Sequence, residues 1–225
     1  MESSNKALKI ILLVIFSPLL LIFWPVTIIV AIAVNLANQP HIDATEELVS
    51  VNLKGLDQDS YTVINNVMLP SKGNTSHSQI DHIVVSRYGI FCIETKSHRG
   101  WIFGSADRQY WTQVLYRDKY RIYNPLWQNY AHMEAIKSLL NMNLKAPIVP
   151  IVVFPNADKI RVDGTRGVGD IEHMLQRISN YKTKVYDPYE YERIISSISN
   201  ANRIDSETVY QHRAEVKNLI TSSIK

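Results

Sequence analysis

The sequence has almost no cysteine and contains no low-complexity tract and no internal repeat. Cys92 is the single cysteine, which excludes an intramolecular disulfide and any zinc site built from several cysteines. Because Cys92 lies in a run of isoleucine and phenylalanine, the sequence predicts a small core residue there and not a nucleophile.

Charge is missing over one long stretch, between Lys9 and Asp43. Residues 10–34 within it are nearly all apolar and would form a helix of about 37 Å, longer than the roughly 30 Å hydrocarbon layer of a bilayer. This run predicts a transmembrane anchor, with the lipid bilayer as its partner. A cleaved signal peptide is the alternative, but the apolar run is too long for a typical signal-peptide core.

The flanking charges bear on the orientation of this anchor. Lys6 and Lys9 precede it, whereas Lys54 is the lone lysine of the far flank, so the positive-inside rule favours a cytoplasmic N-terminus. A single pass would then place the following domain outside the cytoplasm, and a hairpin bent at Pro25 would return it inside. The expected location is a bacterial inner membrane, crossed once, with the side of the domain left open.

The length of 225 residues allows a membrane segment and one domain of common size. The net charge of +3 is compatible with a polyanionic partner. The composition divides the chain into a basic flank, an anchor, a linker, a main domain and a C-terminal helix, at residues 1–9, 10–34, 35–42, 43–202 and 203–225.

Hydrophobic periodicity predicts a mixed α/β domain. An amphipathic helix is expected from Ala44 to about Leu56, and a meander of short strands fills much of residues 61–123. A helix opens at Pro125, because proline suits the first helical position. A strand that is apolar on both faces follows at residues 147–154, which is typical of the interior of a helix-covered sheet.

The stretch from Ser78 to Lys96 reads as two strands around a turn. Glu94 and Lys96 share one face of the second strand, because side chains alternate along a strand. If the two strands pair antiparallel, Asp81 approaches both of them. Two carboxylates and a lysine at a sheet end can hold Mg²⁺ and activate water, although a salt bridge to Lys96 explains these residues equally well.

Several motifs follow one another in a characteristic order. They are the acidic pair in Ala44-Thr45-Glu46-Glu47-Leu48, Ser78-Gln79-Ile80-Asp81-His82, Gly89-Ile90-Phe91-Cys92-Ile93-Glu94-Thr95-Lys96, Gly100-Trp101-Ile102-Phe103-Gly104, Asn124-Pro125-Leu126-Trp127-Gln128 and Val152-Val153-Phe154-Pro155. This order resembles the nuclease-related domain (NERD) family, a branch of the PD-(D/E)xK nuclease-like superfamily. The resemblance implies a restriction-endonuclease-like core, a central mixed β-sheet flanked by helices, here preceded by one N-terminal transmembrane helix.

The resemblance also implies catalytic roles. Asp81, Glu94 and Lys96 match the family's catalytic triplet, and Gln128 matches its helix-borne glutamine. Lys96 is expected to position the attacking water and to stabilise charge on the phosphate. Gln128 is expected to orient the lysine, the water or a phosphate oxygen.

A metal site is implied by the same match. The expected ligands of a Mg²⁺ or Mn²⁺ ion are Asp81, Glu94, the carbonyl of Thr95 and a glutamate of the first helix. Glu47 is the preferred match for that glutamate because it directly precedes Leu48, and Glu46 is the alternative.

Basic and aromatic residues after the motif suggest contacts with nucleic acid. Arg99, Lys119 and Arg121 are expected to contact the phosphate backbone, and Trp101, Trp111 and Tyr120 are candidates for base stacking. The implied function is a membrane-anchored, metal-dependent endonuclease that cuts DNA in preference to RNA. The alternative is a non-catalytic, membrane-tethered module that keeps the nuclease fold and binds nucleic acid or protein.

Overall fold

The computed structural model describes residues 43–140 and 144–223. The expected anchor at 10–34 and linker at 35–42 lie outside the described residues. Among the helices that the structure does describe, none is both long and apolar enough to cross a bilayer.

Five helices and nine strands make up the described chain. The helices are α1 (Ala44–Leu53), α2 (Pro125–Leu140), α3 (Ile171–Ser179), α4 (Pro188–Ala201) and α5 (Ser206–Ser223). The strands are β1 (Tyr61–Pro70), β2 (His77–Ser86), β3 (Gly89–Thr95), β4 (Gly100–Ser105), β5 (Tyr110–Leu115), β6 (Asp118–Tyr123), β7 (Val149–Val153), β8 (Ala157–Asp163) and β9 (Val168–Gly169).

Four helices begin at an aspartate that caps their free backbone N–H groups, and for α5 this is Asp205, which accepts from the Thr208 N–H. Asp43 accepts from the Thr45 N–H at the start of α1, and Asp170 accepts from the His173 N–H at the start of α3. Asp187 opens α4 with a complete capping box. Each cap stabilises its helix by about 0.5–2 kcal/mol, so short polar residues in the sequence determine where these helices start.

Five strands form the first sheet, in the order β1-β2-β3-β7-β9. The first three are antiparallel neighbours, whereas β7 pairs parallel with β3 and with β9. One face packs against α2 and α4, and the other packs against α1 and α3. Because helices cover both faces, every residue of β3 is buried. Four of the five residues of β7 are buried as well, as predicted for the apolar run at residues 147–154.

The remaining four strands form a second sheet, in the order β6-β5-β4-β8. One face of it packs on the first sheet's end through Ile102, Trp111 and Phe154. The family resemblance implies one central sheet, whereas the structure has two. The chain leaves the first sheet after β3 and again after β7, which are parallel neighbours there. The strands that follow them, β4 and β8, are parallel neighbours in the second sheet.

A glycine makes the entry into the second sheet possible. Gly100 has φ +77° at a register shift in β4, and a Cβ there would collide with the Val114 carbonyl oxygen. Strand β8 continues the second sheet because it pairs with β4 along its length.

Candidate functional site

Glu94 and Lys96 lie where β3 leaves the first sheet. Lys96 Nζ is 2.6 Å from Glu94 Oε1 and donates to Gln128 Oε1 at 2.9 Å. The Lys96 backbone N–H donates to the Val153 carbonyl, so the chain is still fixed to β7 at this point. The structure therefore brings together three of the four residues predicted to be catalytic in one contact chain.

Helix α2 is held in place by two buried asparagines. Asn124 donates to three carbonyls of the 105–108 turn and accepts from the Leu126 N–H. Asn129 Nδ2 donates to the Cys92 and Ile151 carbonyls, each at 3.0 Å, and so ties the helix to β3 and β7. These bonds explain why an asparagine-proline pair precedes Gln128: they fix the helical turn that presents it to Lys96.

His132 completes the surroundings of Glu94. Its Nε2 lies 3.1 Å from Glu94 Oε2, and its Nδ1 lies 2.6 Å from Ser78 Oγ. All three side chains are buried. With Lys96 at Oε1 and His132 at Oε2, both Glu94 oxygens have a partner. The role of His132 was missed from the sequence, although its position one turn after Gln128 places the two residues near each other on α2.

Asp81 joins the site through a backbone contact. Its Oδ2 accepts from the Thr95 N–H at 2.7 Å, which holds it beside the end of β3. Asn66, with φ +50°, lies opposite Asp81 at a gap in the β1–β2 register. Ile80 and Ile83 pack into the same hydrophobic cluster, although regular alternation would place residues three apart on opposite faces of the sheet. The side chains of both strands therefore switch faces at this point. The irregularity is local and frees Asp81 from the regular alternation of the strand.

The structure favours Glu46 over Glu47 as the helix-borne glutamate of the site. Glu46 is half-buried, and its charge acts on Asp81 and Lys96. Glu47 is exposed on the next position around α1, and its predicted metal contact stays a prediction. We call Ser78, Asp81, Glu94, Lys96, Gln128 and His132 the Glu94 network.

The pKa values of Asp81 and Glu94 shift in opposite directions. Burial, followed by the charges of Glu94 and Glu46, raises the pKa of Asp81 well above its usual range. Burial alone also raises the pKa of Glu94, but Lys96 and His132 outweigh it and hold that pKa below its usual value. The site thus concentrates negative charge that one lysine does not balance.

A second buried polar group lies on the α1 side of the same strands. His82 Nδ1 is 2.8 Å from Asn65 Oδ1, and Asn65 Nδ2 donates to Ser50 Oγ at 2.9 Å. Because Asn65 uses its amide nitrogen on Ser50, its oxygen is the acceptor, and His82 donates from Nδ1. Burial lowers the pKa of His82 to about 4, so this imidazole is neutral near pH 7.

The predicted nucleic-acid contacts lie around the second sheet. Lys119 and Arg121 are exposed on β6, and Arg99 is exposed just before β4. Trp101 and Tyr120 are exposed, but Trp111 is fully buried in the core between the sheets. Trp111 is therefore a core residue and does not stack on bases, because its ring fills space that Gly104 leaves open.

Comparisons with known proteins cover this whole region. Residues 43–155 match the sequence profile of the nuclease-related domain, and this range includes every member of the Glu94 network. An uncharacterized protein of Bacillus anthracis is 34% identical to this chain over 202 residues, which make up 85% of this chain and 93% of that protein. No solved structure shows a significant match.

Proposed function

Because this chain belongs to the nuclease-related domain (NERD) family, we propose that it is a membrane-anchored, divalent-metal-dependent nuclease that hydrolyses phosphodiester bonds, in DNA in preference to RNA. The observation that carries the proposal is the Glu94 network. Its acidic, lysine and glutamine side chains are the set expected for phosphodiester cleavage, and they meet at one sheet junction. The anchor is the apolar run at residues 10–34.

The donor chemistry of the site fits Mg²⁺ or Mn²⁺. Glu46, Asp81 and Glu94 offer carboxylate oxygens, the ligand type that these ions prefer. Among the described residues, no group of three or more His, Cys, Asp or Glu side chains is already arranged around one metal position. We therefore expect an ion to bind by competing with Lys96 for Glu94.

The side chains of the network have distinct roles in this proposal. Asp81 and Glu94 of the network would hold the ion together with Glu46 from α1 and the Thr95 carbonyl. A bound divalent ion polarises the phosphoryl group and lowers the pKa of its water. Lys96 stays protonated, because its neighbouring carboxylates outweigh burial and raise its pKa. Its ammonium, oriented by Gln128, stabilises the charge that develops on the phosphate.

The direct test is cleavage by the full-length chain in non-ionic detergent. Supercoiled plasmid, single-stranded DNA and RNA are each incubated with Mg²⁺, with Mn²⁺ or with EDTA. We expect metal-dependent cleavage of DNA, which Asp81→Asn, Glu94→Ala and Lys96→Ala each abolish. An inactive wild-type protein, or equal cleavage by wild type and Glu94→Ala, refutes the proposal.

One observation favours a non-catalytic alternative, a tethered module that binds nucleic acid or protein without cutting. Both oxygens of Glu94 are already paired, with Lys96 and with His132, so the network is satisfied as a closed structural unit. In that case nucleic-acid binding persists in EDTA and survives Asp81→Asn, and no metal supports cleavage. Binding that disappears together with the metal argues against this alternative.

A further inference from the structure

One face of the second sheet is not covered by any helix that the structure describes. Ile102, Trp111 and Ile160 face the core from alternate positions, so the intervening positions face outward. No helix in the described part of the chain packs extensively on this side. We call the outward side the open face, formed by Trp101, Phe103, Tyr110, Thr112, Val114, Lys119, Arg121, Tyr123, Lys159 and Arg161.

Large aromatic rings on the open face are exposed to solvent. Trp101, Tyr110 and Tyr123 are 47%, 42% and 50% exposed. Trp101 meets Phe103 edge-on at 6.1 Å, and Tyr110 meets Tyr123 edge-on at 6.1 Å. Tyr110 and Tyr123 are paired across β5 and β6, whereas Trp101 and Phe103 are neighbours on one face of β4. Exposed aromatic rings grouped on one face are uncommon unless the face binds something.

Cations are interleaved with these rings. The Arg121 guanidinium lies 4.0 Å from the Tyr110 ring centroid, and Lys159 Nζ lies 4.8 Å from the Trp101 ring centroid. Each cation thus sits over a ring that is itself exposed, so ring and charge are presented to solvent together.

Two more cations extend the open face, and its acidic residues lie at the edge. Lys119 and Arg161 continue the face through their pairing with β5 and β4. In strand β8, Asp163 lies at the far end and Asp158 lies at the register shift beside Gly100. The open face is therefore both aromatic and positively charged.

A cavity of about 440 Å³ lies at the end of the open face where Trp101 and Val114 pair. It is lined by Arg99, Trp101 and Asn156, among others. Asn156 in turn donates to Thr45 Oγ1 at 3.3 Å, and Thr45 directly precedes Glu46. The volume is within the range of small-molecule sites. Asn156 both lines the cavity and supports the start of α1.

We propose that the open face binds single-stranded nucleic acid, with unpaired bases stacked on its rings and phosphates on its cations. Unpaired bases expose the π-faces that exposed aromatic rings can stack on, whereas a duplex hides them. A protein interface is depleted in lysine, whereas the two outer strands of this face carry Lys119 and Lys159. Delivery of the bound strand to the Glu94 network is the one step that rests on the proposed nuclease function.

The test measures binding without cleavage. The full-length chain in non-ionic detergent is titrated, in EDTA, into a fluorescein-labelled 20-nucleotide oligo(dT) and into a 20-base-pair duplex, and anisotropy is recorded. We expect the single strand to bind at least about tenfold more tightly than the duplex. Trp101→Ala with Lys159→Ala weakens single-strand binding by about tenfold or more and lowers its salt slope by about 0.7.

Two further variants keep the result interpretable. Tyr110→Ala with Arg121→Ala removes the other ring and cation pair and has the same expected effect. Tyr189→Ala with Lys182→Ala removes an exposed ring and an exposed lysine from outside the second sheet, and binding stays within about twofold. Equal loss in this control, no binding by the wild type, or no preference for single strands overturns the inference.

Vesicles and a cleavage assay distinguish strand binding from membrane contact and from cleavage. Vesicles containing phosphatidylserine test for a membrane surface, which also recruits lysines and aromatic rings. If the vesicles bind in an open-face-dependent manner and the oligonucleotide does not, the inference is overturned. Cleavage of the same oligonucleotide is then measured with Mg²⁺. A wild type that binds single strands but never cleaves refutes the nuclease proposal and leaves this inference standing.

Discussion

The two sheets of this protein differ in how they are covered. The first sheet is enclosed by helices on both faces, and the Glu94 network on it links the buried side chains of Ser78, Glu94 and His132. The second sheet is packed on one face only, and its other face carries exposed rings and cations. Under the two proposals, the covered sheet carries the chemistry, because charges interact more strongly when they are buried, and the open face recognises a large, charged partner.

The largest expected difference between the sheets is in stability. Ile151→Ala removes a fully buried side chain from β7 and is expected to cost about 2–5 kcal/mol of unfolding free energy. Trp101→Ala removes an exposed ring from the open face and is expected to cost less than about 1 kcal/mol. Urea unfolding of both variants in detergent measures the contrast. Similar losses would mean that the open face is covered in the folded protein.

A second prediction concerns how the covered sheet positions Glu94. His132→Ala removes the partner of Glu94 Oε2 and is expected to lower kcat by about 10- to 100-fold, because supporting contacts orient the groups that hold a metal. His132→Gln is expected to recover part of the loss, since an amide N–H can also donate to the carboxylate.

The control for this prediction is Tyr130→Ala, an exposed position on the same helix, which should keep wild-type kcat. Single-strand binding in EDTA should be unchanged in all three variants, because the open face is intact. A His132→Ala protein with normal kcat would show that Glu94 does not depend on this contact.

The covered sheet also makes stability depend on pH. The pKa of His82 is about 4 in the folded protein and near 6.5 in an unfolded chain. Between these values the unfolded chain binds a proton that the folded protein does not, so stability falls as the pH falls. From pH 7.5 to pH 5 the expected loss is about 2 kcal/mol.

His82→Gln isolates this effect, because every other titrating group is shared with the wild type. Unfolding free energies of both proteins are measured at pH 7.5 and at pH 5, in EDTA. The wild type is expected to lose about 2 kcal/mol more than the variant. The same pH dependence in both proteins would mean that His82 reaches solvent in the folded state.

Much of this arrangement could be predicted from the sequence. The hairpin around Gly89, the helix from Pro125 and the convergence of Asp81 on Glu94 followed from alternation, turn residues and the family motif. The division into two sheets did not follow, because periodicity within a strand does not state which strands pair. His132 was missed for a related reason: its partner Ser78 is distant in sequence and close only in the fold.

The choice between Glu46 and Glu47 depends on helix geometry that the sequence did contain. The buried positions of α1 are Thr45, Val49, Ser50 and Leu53, and Glu46 lies three and four residues before two of them, hence on the same face. The Leu48 side chain, which guided the choice of Glu47, is largely exposed. An apolar neighbour in sequence was a poorer guide than the 3.6-residue period.

This choice gives the smallest of the predicted effects. Glu46→Gln removes a charge that acts on Asp81 and Lys96, and it is expected to raise the Mg²⁺ concentration needed for half-maximal cleavage by about tenfold. Glu47→Gln makes the same chemical change at an exposed position and is expected to leave that concentration unchanged. Cleavage rates of the two variants across a Mg²⁺ titration give the answer. If Glu47→Gln has the larger effect, the first helix turns its other acidic face to the metal when the ion binds.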